Sequence, residues 1–292
     1  MKSSPSRPLA LSAGLLCLLP AALQAQHYVA GVEGLNAASV PPPGFYVRDY
    51  NYFYTADQDN DASGRSQGAF NAFVYANVPR LIWMSDTKFL GADVGVDALV
   101  PFVDQHVDTH GFNSTTFGLG DLSVNGILAW HPQAFDFVFC EGFWAPCGDS
   151  AAPPTTRAGQ GSWADMLTAG GTWHIDAART WAVSALSRYE FNFQDRDTHD
   201  TAGQTYTLEW GVGKTFSNKI DVGAAGYYQQ QITANSGATS ASVYKGVAAA
   251  GPEISGVIPW VEVDASLRVL YEFMAENRPQ GEVIALTLTK RF

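Results

Sequence analysis

Over long stretches of this chain, apolar and polar residues alternate one by one. In 261–273, Val261, Val263, Ala265, Leu267, Val269, Tyr271 and Phe273 form one row; Glu262, Asp264, Ser266, Arg268 and Glu272 form the other. In 90–102, Leu90, Ala92, Val94, Val96, Ala98, Val100 and Phe102 oppose Gly91, Asp93, Gly95 and Asp97. In 181–193, Trp181, Val183, Ala185, Tyr189, Phe191 and Phe193 oppose Ser184, Arg188, Glu190 and Asn192. A period of two is that of a β-strand, and such runs far exceed the about 5–6 residues usual in soluble sheets. They suit tilted strands that cross a bilayer in about 9–11 residues and project beyond it. The last residues repeat the pattern, with Ile284, Leu286, Leu288 and Phe292 against Ala285, Thr287, Thr289 and Arg291. A terminal aromatic closing such a strand is the form of an outer-membrane barrel.

The same period predicts strands at 45–56, 69–84, 88–103, 119–131, 134–145, 162–174, 180–194, 204–215, 219–233, 244–256, 260–273 and 281–292. Long polar connections (57–68, 104–118, 146–161, 195–203, 234–243, 274–280) alternate with short ones (85–87, 132–133, 175–179, 216–218, 257–259). The expectation is an all-β, transmembrane, antiparallel up-and-down β-barrel of about 12 strands over 44–292, with long loops outside and both termini in the periplasm.

Because a charge facing lipid at mid-membrane costs up to about 2–4 kcal/mol, the polar rows are expected to line the lumen. They hold Asp93, Asp97, Asp121, Asn125, Arg188, Glu190, Asn192, Glu209, Asp221, Gln229, Glu253, Glu262, Asp264, Arg268 and Glu272. Such residues either contact a solute or pair with one another and fill the barrel. In the first strand, Tyr46, Tyr50, Tyr52 and Tyr54 share a face with Arg48, while Asp49 and Asn51 share the other with Phe45, Val47 and Phe53. Facing the tyrosines inward keeps Arg48 out of lipid and gives a ladder, including Tyr50 and Tyr52, suited to ring compounds; facing them outward makes them girdle residues.

Lys2 and Arg7, the apolar run 9–19 and Ala25 read as a secretory signal over 1–25. Residues 26–43, with Pro41, Pro42 and Pro43, resist helix and strand, and form either a periplasmic tail or a plug. The formal net charge of −11, more negative once Lys2 and Arg7 are removed, excludes a nucleic-acid partner. In an exported chain, Cys140 and Cys147 suggest a loop disulfide. No Cys or His pair has metal-ligand spacing, so no metal or cofactor is expected. The stretch Asp57-Gln-Asp-Asn-Asp61 lacks the glycine and glutamate of an EF-hand. The six histidines, among them His106, His110, His131 and His174, stand in no nucleophile motif, so an outer-membrane hydrolase is a minor alternative.

The stretch His27–Tyr46, HYVAGVEGLNAASVPPPGFY, resembles the opening of the outer-membrane family linked to the MetA pathway of phenol degradation. Further matches follow in order: Val78-Pro-Arg-Leu-Ile82, Leu119-Gly-Asp-Leu122, Trp130-His131, Tyr189-Glu-Phe-Asn192, Gly226-Tyr-Tyr-Gln-Gln230, Gly251-Pro-Glu253 and Asn277-Arg-Pro-Gln-Gly281. The resemblance spans the chain beyond 26. It implies a barrel that passes small hydrophobic or aromatic solutes across the outer membrane without an energy-coupling domain. The other partners expected are outer-membrane lipid and, through the strand ending at Phe292, the barrel-assembly machinery. Two features depart from the family: Lys290 on the lipid side, and the cysteines flanking Pro146.

Overall fold

The structure is a computed structural model that describes residues 26–292 except 110, 153–155, 218 and 238–242. The expected signal segment 1–25 and His110 therefore lie outside the described residues. The strands are β1 (Gly44–Asp59), β2 (Phe70–Phe89), β3 (Ala92–Leu99), β4 (Phe102–Thr109), β5 (Phe112–Leu119), β6 (Leu122–Trp130), β7 (Phe135–Ala145) and β8 (Ala164–His174). They continue with β9 (Trp181–Asn192), β10 (Thr205–Thr215), β11 (Ile220–Gln231), β12 (Gly246–Ile258), β13 (Val263–Glu276) and β14 (Pro279–Arg291). Every pairing is antiparallel, and β1 pairs with both β2 and β14, so the sheet closes on itself. Twelve strands form the ring, with β3 bonded to β6; β4 and β5 are two extra strands.

The ring agrees with the alternation of the sequence, because its two faces meet different solvents. Outward side chains such as Phe137, Phe139, Leu167, Trp173, Leu267 and Ile284 are exposed and form the apolar belt. Inward ones such as Asp97, Glu190, Glu209 and Arg268 are buried in the lumen. Lys290 lies on the outward row, where its ammonium reaches the carbonyl of Val261 at 3.1 Å, so its stem covers lipid-side surface while the charge ends at the turn.

Three expected loops are corrected. Residues 85–87 lie within β2, which runs to Phe89, so the turn falls at Leu90 and Gly91. Residues 104–118 are a hairpin: β4 carries on from β3 along β2, and β5 pairs with β4 through Phe102↔Leu119 to Thr109↔Phe112. The inner row of β4 mixes Val103 and Val107 with Gln105 and Thr109, while Asp104, His106 and Asp108 face outward, so the apolar-out alternation of the belt is lost there. Residues 274–280 are likewise mostly strand, since β13 runs to Glu276 and β14 starts at Pro279.

The expected disulfide is also corrected: both cysteines are free, Cys140 buried and Cys147 exposed. Cys140 sits mid-strand in β7 with its thiol in the lumen. At about 3.3 Å per residue, the strand carries the chain roughly 16 Å before it ends at Ala145, whereas a bridge needs Cα atoms within about 7 Å.

Residues 26–43 run through the lumen from the long-loop end to the short-turn end. His27 meets Asp121 and Glu190, Leu35 meets Glu253, and Ser39 meets Asp136 beside the β6–β7 turn. The wall is shaped for close approach. A Cβ on Gly211 would lie 2.5 Å from the Leu35 Cα, and one on Gly34 would collide with the Glu253 carboxylate. Only glycine at both positions lets backbone and wall meet at this distance.

Candidate functional site: an ionic clamp and an apolar slot

Most buried charges of the lumen serve the inner segment. Glu209, fully buried on β10, accepts hydrogen bonds from the Gly31 and Glu33 amides at 2.9 and 3.1 Å and from the Tyr28 hydroxyl at 2.5 Å. Glu190 on β9 accepts from the His27 and Tyr28 amides, both at 3.0 Å. Glu253 on β12 accepts from the Leu35 amide at 3.0 Å and pairs with Arg268, which also donates to the Gly31 and Val32 carbonyls. Arg188 pairs with Glu209 and covers the Tyr28 ring at 4.1 Å. Buried amides without partners would each cost about 1–3 kcal/mol, so these carboxylates let a segment with no regular structure lie inside the barrel.

Glu33 is the centre of the clamp. Arg48, Arg80 and Arg188 approach it at 3.6, 3.3 and 3.7 Å, and Tyr50 donates to it at 2.9 Å. Burial alone would raise the Glu33 pKa, but the three guanidiniums and the phenol outweigh it and hold the group below its ordinary range. At the outer end, burial works against a charged His27, yet Asp121 and Glu190 outweigh it and lift its pKa to about 9. His27 also stacks on Trp144 at 5.8 Å.

The opposite wall is different in kind. Tyr50, Tyr52 and Tyr54 of β1 point inward, buried, beside Val74, Ala76 and Val78 of β2. With Leu99, Pro101, Val103, Ala158 and Met166, they bound a cavity along residues 26–33 that opens to solvent. Small neighbours make room for the rings: Tyr52 lies between Ala76 and Ala285. The phenols are already engaged, Tyr54 with Glu272 at 2.9 Å and Tyr50 with Glu33, so the ring faces rather than the hydroxyls are offered to the cavity. The cations beside it are paired: Arg80 with Asp97, Arg278 with Glu272. The slot therefore sets an apolar face against a polar one, lined by His27, Glu33, Asp121, Asn125, Arg188 and Gln229.

The other expected lumen residues hold the wall. Asn125 donates to Asp97 at 2.7 Å, and Asp93 pairs with Lys88. Asp121 receives the Gly148 and Gln160 amides at 2.9 and 2.6 Å, fixing the loop after β7 over the mouth. Asn192 donates to the Gly203 carbonyl, Gln229 to Thr207, and Ser255 to Asp221. Asp264 points inward but is exposed. Glu262 is not in the lumen: it is exposed in the β12–β13 turn with a φ of 54°. The alternation ran one turn too far there, because a left-handed residue ends the strand. Sequence reading passed over Glu33, Arg80 and Arg278. Parity along β2 could have found Arg80, whereas nothing local shows that Glu33 enters the barrel.

No group of three or more His, Cys, Asp or Glu side chains among the described residues could hold a metal ion. Ser39, Asp136 and His174 do meet near the turns, but the carboxylate lies between them, bonded to Ser39 at 2.7 Å and His174 at 3.0 Å. A serine nucleophile needs the histidine in the middle.

A closed ring with an apolar belt and a polar interior defines an outer-membrane β-barrel. The chain belongs to the family described as "Putative MetA-pathway of phenol degradation", whose profile matches residues 55–288. Among solved structures, the chain is similar to the COG4313 outer membrane channel from Pseudomonas putida F1. That match has a TM-score of 0.79 and 14% identity and covers 88% of this chain and 98% of that one. The β domain of the Bordetella autotransporter BrkA follows at 0.52 and 12%, covering 86% and 100%. At these identities the likeness shows the fold. No curated protein matches the chain.

Proposed function

We propose that this barrel is a passive channel for the uptake of small, neutral, hydrophobic or aromatic compounds, with residues 26–40 as a plug that closes the polar route. The observation that carries the reading is the division of the lumen: charges on β9, β10, β12 and β13, joined at Glu33 by Arg48 and Arg80, clamp the segment and leave an apolar face at the tyrosines of β1. Ions meet charges that are already paired, while a ring compound finds ring faces and aliphatic walls. The family's description points to phenolic substrates, and the similar Pseudomonas putida protein is described as a channel. Pure diffusion is the mechanism, with no catalytic step.

Uptake of phenol and alkylphenols into proteoliposomes tests this. Entry faster than in empty vesicles, with negligible swelling by sugars, is expected; equal entry would overturn it. A second reading, a structural barrel with a filled lumen, draws on the mutual pairing of the lumen charges. It expects no solute entry of either kind.

A further inference from the structure

On the polar face of the cavity, one buried hydroxyl is left without work in the folded chain. Thr168 stands mid-strand on the inward row of β8, 5% exposed, and lines the cavity. It has no side-chain hydrogen bond among the described residues. Other inward threonines are engaged: Thr172 donates to Ser184 at 3.0 Å, and Thr207 accepts from Gln229 at 3.0 Å. A buried hydroxyl without a partner costs free energy, and such groups are few in folded proteins. Because Thr168 opens onto the cavity, its partner comes from there, as water or as the polar group of a solute.

Its neighbours decide which solute fits. Opposite Thr168 on β7 is Cys140, a free, buried thiol that also lines the cavity, and opposite it on β9 is Arg188. Directly opposed side chains on one face have Cβ atoms about 4.5–5.5 Å apart, so hydroxyl and thiol form one small patch. Met166, the next inward residue of β8, adds a thioether and no donor. Arg188 is answered already, since it pairs with Glu209 and lies 3.7 Å from Glu33. A solute anion would meet those carboxylates as well, so the group that suits the patch is uncharged.

The patch also faces the tyrosines. Round the ring from β1 come β2, β3, β6, β7 and then β8, so β8 stands almost across the lumen from β1. Glu33 fixes the height: it accepts from Tyr50 at 2.9 Å and approaches Arg188, the residue opposite Thr168. A ring lying on the faces of Tyr50 and Tyr52 thus turns its far edge toward Thr168.

We propose that Thr168, with Cys140 beside it, is a polar subsite that reads the hydroxyl of a neutral ring compound held on Tyr50 and Tyr52. This rests on the uptake reading above and names the group by which the cavity tells a phenol from a bare hydrocarbon. A phenolic hydroxyl both donates to and accepts from Thr168 and replaces its water; a methyl group in that place leaves Thr168 unmatched.

Cys140 serves as the reporter, in full-length barrels carrying Cys147→Ser to remove the exposed thiol. After refolding and a check of heat-modifiable migration, modification of Cys140 by methyl methanethiosulfonate is followed by mass, with p-cresol or toluene titrated in. p-Cresol is expected to protect at about fivefold lower concentration than toluene, as one neutral hydrogen bond would give. In T168V the two concentrations should converge, and in T168S, which keeps the hydroxyl, the gap should return. No gap in the Thr168 barrel, an unchanged gap in folded T168V, no return in T168S, or a Cys140 that the reagent never reaches overturns the subsite. Entry of both probes into proteoliposomes is measured in parallel. If neither enters while the gap still depends on Thr168, the uptake reading fails and the subsite remains as a binding site. If both enter and the gap ignores Thr168, the channel stands and the subsite falls.

Discussion

Glu33 gathers three arginines at a largely buried position, and that asymmetry governs what its loss does. Glu33→Gln would keep the shape but take from Arg48 its carboxylate partner, beside Arg80 and Arg188, which keep Asp97 and Glu209. Breaking a buried pair from one side costs about 3–5 kcal/mol, enough to shift the clamp toward release. Single-channel recordings are expected to show larger or more frequent openings in E33Q than in wild type; indistinguishable traces would remove Glu33 from the clamp. His27 supplies a pH response of definite sign. Its folded pKa, about 9, lies above the unfolded 6.5, so its contribution is complete below about 6.5 and is lost as pH rises through about 9. Ion conductance is expected to rise between pH 7 and 10, and His27→Ala is expected to abolish that rise. Glu33 acts oppositely, because its depressed pKa makes its contribution fail only as pH falls below the ordinary carboxylate range.

At the scale of elements, the inner segment is held by its backbone as much as by its side chains. Gly34→Ala forces a Cβ into Glu253 and so should loosen the middle of the segment. The expected readout is faster protease cleavage within 26–40 of the detergent-solubilised barrel; unchanged cleavage would contradict the fit seen at Gly34. The strands themselves were legible wherever one face met lipid, since the alternation of Phe135, Phe137, Phe139 and Phe143 admits one orientation. The hairpin β4–β5 was not, because it stands above the belt, where water replaces lipid outside and the inner row packs on Ala158 and its loop. Spacing alone suggested a Cys140–Cys147 bridge, but strand geometry holds the two thiols apart. Which wall would grip the segment was equally hidden: Glu190, Glu209 and Glu253 sit on the nearby strands β9, β10 and β12, but nothing local shows that the segment lies against them.

For the whole molecule, the account joins a lipid belt, a charge-clamped inner segment and an aromatic slot into one selectivity: ring compounds pass and ions do not. Removing the segment should separate these properties. With residues 26–40 deleted, the aligned carboxylates and arginines would face an open polar lumen, while β1 and its tyrosines stay in place. Planar-bilayer conductance of the full barrel and of the deletion, in the same salt, is the most direct test. The account predicts near-zero conductance for the full barrel and a rise of at least tenfold on deletion. Equal conductance of the two would contradict it.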